Sequence, residues 1–344
     1  MITNIKIENF KSIQNQNFIF RPLTILAGTN SSGKSSVIQA LLFCSYYANK
    51  NIYLEDYLRS FGEAKDLLYL NSDKNQIKIT SSVDDKKIFS LVLKDNQWKK
   101  LNNNKFFEFE KELFHLCSNR IGQEDLGKKH RDLRSGNNGE FLFGFYEENK
   151  NNSLKNDKLI CNEDSHSLSI QIRFWINKIL ELKLEPITQK FDNNSVKILY
   201  KNYDLGVEFS PFNLGSGVSY LTKILILGLS LEKGNVLIVE NPEVHLHPKA
   251  ISKLTDFFVF LTKAGIQVII ETHSEHILNG IRWNIFKSEI PEQSVQIYYR
   301  DNLKENFQAI SINKQSKYIN SNNEIIDFPE GFFDSDLNHL LEMM

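Results

Sequence analysis

The chain has 344 residues, enough to bury a sizeable core in one large domain or two smaller ones. Its 41 basic and 42 acidic side chains leave a formal net charge of −1, which excludes a global basic field for nucleic acid and leaves only a local basic groove open. Cys44, Cys117 and Cys161 are widely separated with no metal-ligand spacing, so a reduced, cytoplasmic setting is expected, and the apolar runs at 224–231 and 254–261 are too short to span a bilayer.

The opening residues, Met1 to Glu8, alternate like a strand and contain no apolar signal-peptide core. Asn9-Phe10-Lys11-Ser12-Ile13 reads as a turn. Phe18–Phe20 and Leu23–Ala27 read as two more strands, with Pro22 between them. There follows Gly28-Thr29-Asn30-Ser31-Ser32-Gly33-Lys34-Ser35-Ser36, which fits the phosphate-binding pattern G-x-x-x-x-G-K-[ST] in full. Glycines let the backbone turn round a polyphosphate and aim successive N–H groups at it. Lys34 supplies a point charge for the β- and γ-phosphates, and the Ser35 hydroxyl suits Mg²⁺. A helix expected from Ser35 to Ala48 would put the phosphates on its N-terminus.

Beyond this helix, 50–75 reads as a short helix with loops, and Ile77–Ser82 with Ile88–Leu93 as a hairpin in a β-rich lobe. Residues 106–117 are rich in aromatics, and 123–140 form a polar stretch holding Lys128, Lys129, His130, Arg131 and Arg134, either a solvated loop or a phosphate contact. A surface loop is expected at 147–166, an amphipathic helix at Ser169–Leu184, and a second hairpin at Val196–Tyr200 with Leu205–Phe209. Leu214-Gly215-Ser216-Gly217-Val218-Ser219 leads into an apolar helix from Tyr220 to Leu231. The apolar strand Asn235–Val239 ends on Glu240, and Asn241-Pro242-Glu243-Val244-His245-Leu246-His247-Pro248 opens a helix to Lys263 that Gly265 ends. The strand Ile266–Glu271 ends in Thr272-His273-Ser274. Apolar strands alternating with helices predict an α/β fold with a largely parallel sheet, and ligands on such sheets bind at the carboxyl ends of the strands, where the P-loop, Glu240 and His273 are expected. Glu243, His245 and His247 could be a metal cluster or a structural turn.

Together, Asn9–Ser12, Gly28–Ser36, Leu214–Ser219, Glu240–Pro248 and Glu271–Ser274 resemble the ABC-type ATPases of the SMC, Rad50 and RecF group. More closely, they look like small bacterial AAA-type proteins related to the OLD nucleases and to the PtuA subunit of Septu defence systems. Phe328 to Asp334 resembles a C-terminal module of unknown function on one branch of these proteins.

The resemblance implies one ABC-type head over 1–344, with a β lobe and insertion at 50–210, a signature, Walker B and switch-histidine half at 211–290, and a C-terminal module at 291–344. Two heads would bind two ATP molecules at a head-to-tail interface, the P-loop of one facing Gly215-Ser216-Gly217 of the other. Glu240 would serve Mg²⁺, His273 would be the switch histidine, and Lys11 would lie near the phosphates. His245 and His247 would then belong to a structural turn or dimer contact. One departure stands out: Asn241 occupies the position of the glutamate that activates water. Asn cannot take a proton, and Pro242 constrains Glu243 as a substitute, so slow turnover or a binding switch is expected.

The implied function is a dimeric regulatory ATPase of bacterial anti-phage defence or DNA maintenance, controlling a separate effector, with nucleic acid as a possible partner and no membrane. No acidic cluster of the Toprim kind and no Cys/His pattern of an HNH nuclease is found in the chain. The alternatives are a non-hydrolysing ATP-bound scaffold and the nucleotide-binding subunit of an ABC transporter. Phe332, Phe333, Leu337, Leu340 and Leu341 form either a docking surface or core packing.

Overall fold

The computed structural model describes residues 1–70, 72, 75–84 and 87–329. The C-terminal residues named above from Phe332 onward lie outside the described residues, as does 330–344 of the expected module at 291–344. By contacts the chain divides into two compact units, one made of 1–111 with 269–344, the other of 112–268.

The first unit begins with β1 (Ile2–Phe10), β2 (Ile13–Ile19), β3 (Leu23–Gly28), α1 (Lys34–Asn49), α2 (Ile52–Arg59), β4 (Gln76–Val83), β5 (Lys87–Lys94) and β6 (Gln97–Lys100). Period-two alternation builds an antiparallel sheet in the order β2-β1-β4-β5-β6, with Ile7 opposite Ile79 and Ile79 opposite Leu91. All three side chains are fully buried, and α1 packs on the sheet. Phe43 and Tyr47 of α1 meet Trp98 of β6 at ring distances of 5.0 and 5.5 Å. The expected hairpin is present as β4 and β5, and the expected short helix as α2.

In the second unit β7 (Leu113–Leu116), β8 (Leu126–Lys128), α3 (Leu142–Asn149), α4 (Leu168–Leu180), β9 (Leu184–Lys190), β10 (Ser195–Asn202), β11 (Val207–Phe209), α5 (Ser216–Leu229), β12 (Val236–Glu240) and α6 (Pro248–Lys263) follow in order. β12 runs parallel to β7, and β10 pairs antiparallel with β8, β9 and β11. α5 is apolar on nearly every side and is correspondingly buried from Leu221 to Leu229. It packs against α3 and α4, while Trp175 of α4 meets Phe257 of α6 edge-on at 4.9 Å.

Two expectations are corrected here. The helix expected to reach Leu184 stops at Leu180, where Glu181 turns left-handed at φ +58°, and Leu184 instead opens β9. Pro186 accounts for this: it has no N–H for a helix and pushes its predecessor toward extended backbone. The polar stretches at 123–140 and 147–166 are not purely loop, because β8 falls in the first and α3 overlaps the second.

β13 (Gln267–Thr272) carries the chain back to the first unit, which is completed by α7 (Glu275–Phe286), β14 (Val295–Arg300), β15 (Gln308–Ile312) and β16 (Tyr318–Ile319). Its second sheet has the order β16-β15-β14-β3-β13, with β14 parallel to β3 and β15 antiparallel to β14. Every residue of β3, β13 and β14 is buried, as expected of strands covered on both faces.

Candidate functional site

The P-loop lies between β3 and α1, in the first unit. Gly28 has φ +146°, and a Cβ there would stand 2.0 Å from the Arg300 carbonyl oxygen. Gly33 has φ +95°, and its Cβ would meet Ser12 Oγ at 2.1 Å. Both glycines are therefore required by conformation and by space. Lys34 is only 2% exposed, and its Nζ donates to the carbonyls of Gly28 (3.1 Å) and Thr29 (2.7 Å) and to Ser32 Oγ (3.4 Å). The first turn of α1 contains no acid and its Gly33 N-cap has no side-chain partner, so the N-terminal half-charge of the helix faces the loop. Asn30 and Ser31 are exposed at the tip, Ser31 with φ +61°. Ser36 Oγ lies 3.3 Å from Ser12 Oγ, so the turn after β1 abuts the loop.

Ser35 Oγ donates to Glu271 Oε1 at 3.0 Å. Glu271 is 5% exposed, near the end of β13. A hydroxyl has one proton and two lone pairs. Giving the proton to Glu271 leaves the oxygen lone pairs of Ser35 for a cation, and hydroxyl plus carboxylate is a hard donor set that fits Mg²⁺. His273 is exposed beyond the end of β13; partial desolvation first and the Lys34 ammonium second hold its imidazole below the ordinary value, opposed by a hydrogen bond to the Gly28 backbone. Lys11 sends Nζ to Gln39 Oε1 at 2.7 Å and lies over the Phe61 ring at 4.5 Å.

Glu240, Asn241, Glu243 and Gly215-Ser216-Gly217 belong to the second unit. Glu240 Oε1 is 2.9 Å from His115 Nε2, and Oε2 accepts from Ser118 N at 3.1 Å. Burial pushes the Glu240 carboxyl up, but the His115 and Ser118 contacts outweigh it and leave the group below its usual range. The Arg120 guanidinium donates to the carbonyls of Cys117, Glu240 and Asn241. Asn241 has φ +45°. Glu243 follows in the same turn, its carbonyl accepting from Leu246 N at 3.0 Å. Gly215 is exposed and a Cβ there meets nothing within 4 Å, whereas one on Gly217 would stand 2.4 Å from the His245 carbonyl oxygen. Gln123 secures the approach to this turn by donating to the carbonyls of Pro211 (2.8 Å) and Leu214 (2.6 Å). A cavity of about 290 Å³ opens beside it, lined in part by Gly215, Gly217, His245 and Lys249.

His247 Nδ1 caps α6 by accepting from Lys249 N, His245 lies against the Tyr220 ring at 5.1 Å, and no metal-holding group of three or more His, Cys, Asp or Glu occurs among the described residues. The basic stretch also has internal partners: Lys129 pairs with Glu148 at 2.8 Å, and Arg134 sits over the Phe114 and Phe145 rings while donating to Ser230 O. Arg120, Glu271, Arg300, His115 and Gln123 were not among the residues expected at the site. Only Glu271, inside the Glu271–Ser274 motif, carried a signal in sequence.

The fold and the loop define a P-loop protein with an SMC-type head. The chain belongs to the family described as "AAA domain, putative AbiEii toxin, Type IV TA system", whose model matches residues 23–279. It is similar to the Old nuclease of Escherichia phage P2, at 26% identity over 81% of this chain and 57% of that one, so it spans little more than half that relative's length. In fold it is similar to an SMC head bound to the C-terminal winged-helix domain of ScpA (TM-score 0.57, 12% identity, 91% and 98% of the two chains). It is also similar to an SMC head with an extended coiled coil bound to the C-terminal domain of ScpA from Pyrococcus furiosus (TM-score 0.53, 12% identity, 99% of each chain). Among the described residues no helix is long and apolar enough to cross a membrane.

Proposed function

We propose that the chain binds ATP–Mg²⁺ at the P-loop and works as a slowly hydrolysing, dimeric regulatory ATPase of the cytoplasm, with residues 1–344 acting as one head. The observation that carries this reading is the buried Lys34 ammonium, ringed by loop carbonyls at the N-terminus of α1, whose own first turn holds no acid. That arrangement is a ready anion site, which a polyphosphate would occupy by taking over the ammonium's hydrogen bonds. Ser35 would hold Mg²⁺, which would neutralise the charge on the phosphates, and Glu240 would keep the Walker B role that the resemblance implies for it. Gly215 and Ser216 would receive the γ-phosphate of a second copy. The exposure of Gly215 and the open space beside it support that role.

Slow turnover follows from Asn241, which offers no carboxylate to activate water. A role in anti-phage defence or DNA maintenance, through an effector partner or nucleic acid, is supported by the likeness to a phage nuclease and to heads bound to ScpA. A second reading, an ATP-bound scaffold without hydrolysis, is favoured by the same Asn241.

Mass in solution with and without ATP–Mg²⁺, for wild type and Lys34→Ala, together with phosphate release, tests the proposal. ATP-dependent dimerisation with slow release, both lost in Lys34→Ala, is expected. A dimer indifferent to nucleotide with fast release would overturn the switch reading, and dimerisation without any release would leave the scaffold.

A further inference from the structure

We infer that Glu271 is a positioning residue for the nucleotide's Mg²⁺: it turns the Ser35 hydroxyl toward the cation and adds a negative charge that the cation needs. This rests on the ATP–Mg²⁺ reading above. The geometry carries the first half. Ser35 Oγ gives its only proton to Glu271 Oε1 at 3.0 Å, so its lone pairs point away from Glu271. A serine without such an acceptor would rotate its proton freely, and a proton directed at the cation would block coordination. Carboxylates behind metal ligands fix ligand orientation and strengthen binding in this way.

Charge carries the second half. Glu271 is 5% exposed and shares the unit of the P-loop, where phosphates would gather. A buried carboxylate beside phosphates repels them when no cation is present and attracts the cation that accompanies them. Glu271 therefore makes the site discriminate between metal-loaded and metal-free nucleotide. A residue that merely braced the fold would have no such opposite effects.

The test compares wild type with Glu271→Gln, which keeps an oxygen acceptor and removes the charge. Two quantities are measured: ATP affinity in excess EDTA by calorimetry, and Mn²⁺ affinity of the ATP complex by electron paramagnetic resonance. Mn²⁺ affinity is expected to fall about 10–100-fold, while metal-free ATP binds as tightly as to wild type or more so. Unchanged Mn²⁺ affinity, or parallel loss of both affinities, overturns the inference. If the Gln variant does not fold, Glu271→Asp serves instead. Its shorter side chain withdraws from Ser35, so Mn²⁺ binding should weaken with metal-free ATP binding retained, and wild-type Mn²⁺ affinity would overturn the inference. Wild-type protein that binds no ATP would instead remove the reading on which the inference stands.

Discussion

The Arg120 guanidinium donates to the Asn241 carbonyl at 2.7 Å, and the residue it holds there has φ +45°. The position to which the resemblance assigns a catalytic glutamate is thus occupied by a residue type that tolerates left-handed backbone. Asn241→Glu is expected to cost about 1–2 kcal/mol of stability from that conformation, with Asn241→Gly the milder change. Denaturant midpoints check the order, and phosphate release shows whether the restored carboxylate speeds turnover in spite of the cost.

Arg120→Met would strip the carbonyls of Cys117, Glu240 and Asn241 of a charged donor. Since each such bond contributes about 1.5–3 kcal/mol, the loss should exceed that of an ordinary surface change several-fold. Arg120→Lys should restore only part, because one ammonium cannot reproduce a planar fork. Chemical denaturation of the three proteins measures this.

Gly215 and Gly217 are separated by one residue and should respond oppositely. Gly217→Ala drives a methyl group into the His245 carbonyl and should lower the melting temperature. Gly215→Ala has open space, so its melting temperature should match wild type, while ATP-dependent dimerisation weakens if that face receives a second copy. Loss of monomer stability in Gly215→Ala would count against the exposed-face assignment.

Lys223 on α5 is fully buried and pairs with Glu124 at 2.5 Å, burial lowering the affinity of the lysine for its proton and raising that of the glutamate. Removing one partner, as in Lys223→Met, should cost about 3–5 kcal/mol, because it strands the other charge, whereas Lys223→Met with Glu124→Leu should cost far less than two such losses. A double-mutant cycle reads the difference.

His273 should give the protein an acid-side pH dependence. The folded chain holds its imidazole below the ordinary value of about 6.5. Its contribution to stability is therefore full above that value and is lost as pH falls through the lower folded-state value. His273→Gln should flatten this limb of the stability–pH curve. Bound phosphates should raise the imidazole again, so ATP binding near pH 6 should take up protons. Calorimetry in buffers of differing ionisation heat detects this, and an uptake undiminished in His273→Gln would assign it elsewhere.

How much of this was visible in the sequence depended on how local each constraint was. The P-loop was legible because its glycines, lysine and serine lie within nine consecutive residues between a strand and a helix. Glu271 was visible only as part of a motif, since its partner Ser35 lies 236 positions away in sequence. Arg120 and Asn241 are 121 positions apart, and nothing in the neighbourhood of Arg120 announces that its task is to hold distant carbonyls. Leu182 and Leu184 prolong the apolar spacing of α4 and disguise the start of β9 as helix, with Pro186 the stop signal. α3 has no legible period, because Phe141-Leu142-Phe143-Gly144-Phe145-Tyr146 is apolar or aromatic almost throughout.

The parallel pairing of Leu23 with Val295 and of Gly28 with Arg300 has a consequence for synthesis on the ribosome. β3 and the loop it supports emerge early, yet their sheet neighbours β13 and β14 are translated only after nearly all of 112–268. That intervening unit has its own strand pairs and helices and can condense first. Meanwhile the largely apolar β3 waits with an unpaired edge, the condition under which nascent chains aggregate or recruit chaperones. A chain halted before Val295 would carry every residue of the P-loop motif without the strand that shapes it.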